Sequence, residues 1–208
     1  MNLNNYYWSF KGVLSHKFCD EVIEYGKKHQ EQLAKTGGFE KKDLNKKELK
    51  ELKKKRNSNI VWMSDEWIYK EILPYVKIAN KNAGWNFDWN FSEPCQFTKY
   101  SPGQYYGWHC DSWEVPYNNP NDSNTNGKIR KLSVTCSLSD PQNYKGGELE
   151  FNFNNPEKKN KDNIRKCTEI LTRGSIVVFP SFVWHRVCPV KEGVRNSLVI
   201  WNLGYPFK

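Results

Sequence analysis

From about residue 94 onward the chain breaks into short apolar or alternating runs closed by turn residues, and this pattern limits its fold more than any other. The runs are Gln96–Tyr100, Tyr105–Asp111, Leu132–Leu138, Glu148–Phe153, Ile176–Phe179, Val183–Val187 and Ser197–Trp201. Pro102-Gly103, the Asn118–Gly127 stretch, Gly146-Gly147, Gly174 and Glu192-Gly193 punctuate them. About seven or eight strands at such spacing point to a β-sandwich or a double-sheet jelly roll. No stretch approaches the ~20 apolar residues that a membrane-spanning helix needs, so no membrane partner is expected.

Upstream the texture is helical. Ser15 can cap a helix that carries Phe18, Val22 and Tyr25 on one side and ends before Gly37-Gly38. Asn59–Met63 reads as a short strand, and Ser64 as the cap of a second helix with Trp67, Ile68, Ile72 and Tyr75 in its first turns. Pro74 falls inside that helix and is placed to kink it. The expectation is an α+β chain, one domain over residues 1–208, with a helical portion to about residue 90 packed on one sheet of a jelly-roll core from about 91. Aromatic residues make up 15% of the chain, so that core is built largely on rings.

The net charge of +9 is concentrated in Lys41, Lys42, Lys46, Lys47, Lys50, Lys53, Lys54, Lys55 and Arg56, interrupted by Glu48 and Glu51. That run reads as a solvated helix or a mobile loop, or else as a patch for an acidic partner such as nucleic acid. The Lys- and Asn-rich stretch Asn152–Lys166 reads as an extended hairpin connection. Six cysteines are scattered with no Cys-x-x-Cys pair, which reads as reduced thiols without a zinc site. Residues 1–8 lack the charged and apolar zones of a secretion signal, so a cytoplasmic location is the expectation.

Of four histidines, His16 and His29 fall in the first helical region, whereas His109 and His185 lie in the strand-rich half amid aromatic residues. In Tyr105-Tyr106-Gly107-Trp108-His109-Cys110-Asp111 a strand would point His109 and Asp111 to one face and Cys110 to the other. A core histidine bonded to a carboxylate would look the same, and His185 is what shifts the balance. Two imidazoles and one carboxylate on a face of an octahedral ion form a facial triad, which leaves three positions for an oxo-acid and dioxygen. Zinc accepts the same ligands but favours a closed or four-coordinate site. A dicarboxylate also needs a cation at its far end. If the turn at Lys191-Glu192-Gly193 is a hairpin, Arg195 faces the same side as His185, roughly 10 Å along the ladder at ~3.3 Å per residue. Arg grips a carboxylate with two prongs where Lys offers one point of charge, although a surface arginine is unremarkable in a basic protein.

These motifs resemble the prolyl 4-hydroxylase-like branch of the 2-oxoglutarate and iron(II)-dependent oxygenases, in particular its PKHD-type hydroxylases. The resemblance covers roughly residues 94–203. It runs through Tyr100-Ser-Pro-Gly, Tyr106-Gly-Trp-His109-Cys-Asp111, Arg130-Lys-Leu-Ser-Val-Thr, Tyr144-Lys-Gly-Gly-Glu-Leu-Glu, Phe179-Pro-Ser-Phe-Val-Trp-His185 and Pro189-Val-Lys-Glu-Gly-Val-Arg195, with Arg56-Asn-Ser58 looser. It implies a double-stranded β-helix, a jelly-roll variant, with His109, Asp111 and His185 as iron ligands and Arg195 as the anchor of the distal carboxylate. Tyr100 matches a tyrosine whose hydroxyl bonds that carboxylate. Collagen-type relatives use lysine where Arg195 stands.

The cofactors implied are Fe(II), 2-oxoglutarate as co-substrate and O2, with ascorbate as a supporting reductant. The implied reaction hydroxylates an unactivated C–H bond, on a prolyl or other residue of a protein or peptide, with release of succinate and CO2. Oxidation of nucleic acid or a small molecule by the same chemistry, and a non-catalytic jelly-roll binding module, are the alternatives. Trp108, Trp113, Phe182 and Trp184 flank the ligands as candidate pocket walls. Lys35–Lys55 (within it Lys41–Lys55) and Glu114–Gly127 fall where such enzymes carry loops over the site.

Overall fold

A computed structural model describes residues 5–36, 43–112, 114–154 and 163–207. Three helices, α1 (His16–Lys28), α2 (Lys46–Lys55) and α3 (Glu66–Asn82), lie among the first seven strands. Those strands are β1 (Trp8–Phe10), β2 (Gln32–Leu33), β3 (Arg56–Asn57), β4 (Asn59–Met63), β5 (Phe91–Ser92), β6 (Cys95–Tyr100) and β7 (Tyr105–His109). Then come β8 (Ile129–Ser137), β9 (Tyr144–Gly146), β10 (Leu149–Asn152), β11 (Ile164–Lys166), β12 (Ile176–Pro180), β13 (Trp184–Val187), β14 (Val190–Gly193) and β15 (Arg195–Gly204).

All pairings are antiparallel. The larger sheet runs β1-β12-β8-β15-β6-β4-β2 with β5 beside β15; the smaller runs β11-β10-β13-β7-β3, and β9 pairs β14. Two facing sheets of this make are the jelly-roll core expected of an α+β chain, with the strand-rich half supplying most of both.

The larger sheet buries its outer face under α1 and α3. Ile68, Ile72, Val76 and Ala79 fall three or four residues apart on α3, and all are fully buried. With Phe18, Cys19 and Val22 of α1 they meet Leu132, Val134 and Cys136 of β8 and Leu198 and Ile200 of β15. Gly26 lets α1 approach this closely, since a Cβ there would sit 2.7 Å from the Phe97 ring. Ser15 accepts from the Phe18 N–H at 3.0 Å, the expected cap.

The structure differs from the sequence expectation in four places. Helix α1 stops at Lys28, because Gln32 and Leu33 leave to pair with β4 and Glu31 bonds Lys99 and Asn59. Gly37-Gly38 lie outside the described residues. Helix α3 has its cap at Asp65, not Ser64, and continues unbroken through Pro74. The lysine run is a helix, α2, which lies beside β3 and β7 of the smaller sheet rather than on the larger one; Lys41 and Lys42 lie outside the described residues. The portion before residue 91 also contributes β1, β2 and β3, pieces too short for a period-two signal to register, beside the strand expected at Asn59–Met63, which forms as β4 with those bounds. Among the described residues, no helix is long and apolar enough to cross a membrane. All six cysteines are free.

Candidate metal centre and co-substrate pocket

His109 ends β7 and His185 is the second residue of β13, and the two sit directly opposite each other in the ladder. Between the pairs His185–His109 and Val187–Tyr106 the register shifts, so β7 holds one extra residue there. That bulge brings Tyr106 and His109 to one side, where their rings stack at 3.5 Å. Asp111 does not lie on the strand, which ends two residues earlier. A bend holds it: its N–H donates to Ser181 O at 2.8 Å, and Oδ2 accepts from Ser133 Oγ at 2.7 Å, which also bonds Ser181 Oγ at 2.9 Å.

One ligand atom from each of His109, Asp111 and His185 lies within 4.8 Å of the others, a grouping able to hold a metal ion. Nε2 of His109 is 3.7 Å from Asp111 Oδ1, and Nε2 of His185 is 3.5 Å from Oδ2. Each histidine turns Nδ1 to a backbone carbonyl, Gly107 O at 2.8 Å and Val183 O at 2.9 Å. In the neutral ring Nδ1–H is then the donor and the Nε2 lone pair faces the centre. Burial, and after it the charge of His185, lowers the His109 pKa well below the usual imidazole value. Burial raises the Asp111 carboxyl, but His185, His109, Arg130 and Ser133 outweigh it and hold the pKa to about 2. A neutral imidazole beside an ionised carboxylate is a metal-ready donor set, and two nitrogens with one oxygen suit non-haem iron.

Behind the triad is an inner cavity of about 40 Å³, bordered by Tyr100, Arg195, Ser197 and Phe179 as well as the three candidate ligands. Arg195 is 4% exposed, its Nη1 donates to Ser197 Oγ at 3.3 Å, and no described carboxylate forms an ion pair with it. The guanidinium stands 5.5 Å from the centre of the Tyr100 ring, and the two residues are paired across β15 and β6.

Arg195 thus reaches the triad by another route than expected. The chain after His185 does not fold back as a simple hairpin: β13 lies in the smaller sheet and β15 in the larger. From β15 Arg195 borders the same cavity as the three candidate ligands.

An outer groove of about 960 Å³ reaches His109 and Asp111 of the triad. Trp108 and Trp184 line it, as expected, whereas Phe182 turns to Phe87 and Phe207 and Trp113 lies outside the described residues. Sequence reasoning overlooked four residues shared by cavity and groove: Arg56, Gln96, Tyr106 and Trp201. Arg56 is 4% exposed, bonds Ser58 Oγ at 3.0 Å and lies 4.4 Å over the Tyr106 ring. Its signal was available: it is the last cation of the lysine run and the first residue of a β segment. In the Glu114–Gly127 stretch, Tyr117 bonds Glu93 at 2.7 Å, and Glu93 bonds Nε of Arg130 at 2.8 Å. Arg130 lies 3.9 Å over Trp201.

Similarity to known proteins agrees with this geometry. Over 109 residues, 52% of this chain, it is 35% identical to a PKHD-type hydroxylase of Shewanella baltica, and over 106 residues it is 37% identical to the PKHD-type hydroxylase YbiX of Escherichia coli. The aligned stretches span only 42% and 40% of those relatives' lengths. The fold matches the viral collagen prolyl hydroxylase of Paramecium Bursaria Chlorella virus-1, with a TM-score of 0.63, 22% identity and 97% of each chain covered. It also matches a Trichoplax adhaerens prolyl hydroxylase in complex with a hypoxia inducible factor peptide fragment, with a TM-score of 0.61, 16% identity, 96% of this chain and 84% of that one. The profile of the 2OG-Fe(II) oxygenase superfamily matches residues 95–202, the span that holds both candidate histidines, Asp111, Tyr100 and Arg195. With its jelly-roll core and its three converging donors falling inside that span, the chain belongs to the 2OG-Fe(II) oxygenase superfamily.

Proposed function

We propose that this protein is a 2-oxoglutarate- and iron(II)-dependent dioxygenase that hydroxylates an unactivated C–H bond, on a prolyl residue of a protein or peptide. The observation that carries the reading is the pairing of a neutral-imidazole and carboxylate cluster with a buried arginine in one cavity. His109, Asp111 and His185 would hold the iron. With iron, 2-oxoglutarate and dioxygen bound, the available chemistry is decarboxylation to succinate and CO2, coupled to transfer of one oxygen atom into the substrate C–H bond.

The chain's own side chains do the placing. Arg195, with Tyr100 beside it, takes the distal carboxylate of 2-oxoglutarate by a charged, two-pronged contact. Gly107 O and Val183 O fix the imidazole tautomers, and Ser133 with Ser181 fixes the carboxylate. Phe179 and Val187, both buried beside the donors, shield the inner side of the site from bulk water. A peptide substrate is supported by the fold shared with a prolyl hydroxylase solved with a peptide fragment, and by an outer groove of about 960 Å³ that His109 and Asp111 line. A prolyl target is supported by the names of the structural neighbours.

The test is incubation with Fe(II), 2-oxoglutarate and ascorbate, followed by succinate assay and by mass spectrometry of proline-containing peptides. The reading expects succinate formation that His109→Ala, Asp111→Ala and His185→Ala each abolish, and peptides heavier by one oxygen atom. Succinate without oxygenated peptide would remove the peptide substrate; no succinate at all would remove the oxygenase.

A further inference from the structure

The oxygenase reading leaves α2 unexplained. Between Lys46 and Arg56 the chain places seven cations against two carboxylates, a net of +5 out of +9 for the whole protein. Lys46, Lys50, Lys53 and Lys54 recur at spacings of three or four residues, so like charges face each other along the helix and repel. Glu51 offsets one of them, bonding Lys54 at 2.7 Å. Glu48 is spent in part on the capping box, accepting from the Asn45 N–H at 2.9 Å. Only Leu52 is fully buried.

Despite this thin packing, the helix is tied at both ends. The capping box fixes its start. At its end the Tyr105 hydroxyl reaches the carbonyls of Lys53 and Lys54 at 2.9 and 3.0 Å, and the chain passes straight into β3, which pairs β7. Lys54 and Lys55 line the groove that reaches His109 and Asp111. A self-repelling helix held rigidly beside a site is matched by an anion that lies along it.

We propose that α2 is a docking rail for an acidic segment of the peptide substrate, so that Asp or Glu residues to one side of the target residue select it. This rests on the hydroxylase reading above and names the peptide class. The helix is about 15 Å long at 1.5 Å per residue, a length that an extended peptide covers in about five residues. The arrangement suits a peptide better than a nucleic acid. Groove cations cluster at residues 35 and 54–56, drawn together at Tyr106, whose hydroxyl bonds Thr36 and whose ring lies under Arg56; Arg130 is the remaining one, Lys54 and Arg130 are ion-paired with Glu51 and Glu93, and Trp62, Trp108, Trp184 and Glu114 also line the groove. A nucleic acid carries charge at every nucleotide and asks for cations along the whole track. A peptide can be acidic at one end and neutral at the other.

The test uses fluorescein-labelled peptides of about a dozen residues, extended over ~40 Å, with one central proline and Glu, Gln or Lys filling one flank or the other. Binding is followed by anisotropy on the iron- and 2-oxoglutarate-loaded protein without oxygen. Glu peptides of one polarity should bind about tenfold or more tighter than Gln peptides, an advantage that fades with salt. The triple variant Lys46→Glu, Lys47→Glu, Lys50→Glu sets acids at the start of α2, where the helix dipole favours them, so the helix should persist by circular dichroism. It should lose the Glu preference and gain one for Lys peptides, while peptide-free succinate formation stays unchanged. Equal binding of all flanks, or a Glu preference that survives the triple variant, would overturn the proposal. So would an oligouridylate of similar length binding more tightly than every peptide. Loss of peptide-free succinate formation in the wild type would count against the oxygenase instead, which keeps the two failures apart.

Discussion

At the scale of single residues, the candidate site depends on protonation and on what aims each donor. His109 and Asp111 both have pKa values below their ordinary ones, from different causes. For His109 the unfolded chain takes up a proton near pH 6.5 while the folded chain resists it, so the unfolded state binds more protons as pH falls. The metal-free protein should therefore lose stability as pH drops below about 6.5, and lose more between about 3.8 and 2, where the Asp111 carboxyl of the unfolded chain takes up a proton that the folded one still resists. Thermal melting across that range should slope accordingly, with a shallower slope from pH 6.5 to 5 in His109→Asn; an unchanged slope would refute the assignment. Ser133→Ala removes the hydroxyl that aims Asp111, and by analogy with other outer hydrogen bonds to ligands should weaken iron affinity about 10- to 100-fold. Titration calorimetry with Fe(II) under nitrogen checks it, and unchanged affinity would mean that Ser181 and the backbone suffice. The three donors were legible in the sequence because their chemistry is rare in combination. Ser133 was not, since a serine in an apolar strand carries no mark of which carboxylate it will meet.

At the scale of elements, the larger strands were readable because alternation and turn residues repeat over many positions. Strands such as β1 and β9 were not, being too short for a period to show. The route of Arg195 was misread for a related reason: Glu192-Gly193 looks like a hairpin turn, whereas the chain changes sheets there. Gly147 guards the result. It has φ of +66°, and a Cβ on it would lie 2.8 Å from Arg195 Cδ. Gly147→Ala should therefore displace the guanidinium and raise the KM for 2-oxoglutarate severalfold or more, with far-ultraviolet circular dichroism unchanged; an unaltered KM would show that Arg195 has room to give. Tyr105→Phe removes the hydroxyl that reaches the last carbonyls of α2. At about 1 kcal/mol for such a bond, amide exchange in α2 should quicken severalfold while exchange in α3 stays as it was.

At the scale of the whole molecule, two sheets carry the two ends of one candidate site. The smaller sheet and the bend after it present His109, His185 and Asp111; the larger presents Arg195 and Tyr100. On the proposed reading a metal-chelating diacid needs both sheets, one for its chelating end and one for its distal carboxylate. The family fold was legible from motif order, but the gap between sheets was not, because it depends on side chains from both faces meeting in a narrow cavity. The most direct measurement is 2-oxoglutarate binding without oxygen, with and without Fe(II), to the wild type, Asp111→Ala, Arg195→Ala and the double variant. A site spanning both sheets predicts that iron tightens binding strongly, that either substitution removes most of it, and that the double variant loses less than the two single losses added together. Binding that ignores iron, or that survives Arg195→Ala unchanged, would contradict it.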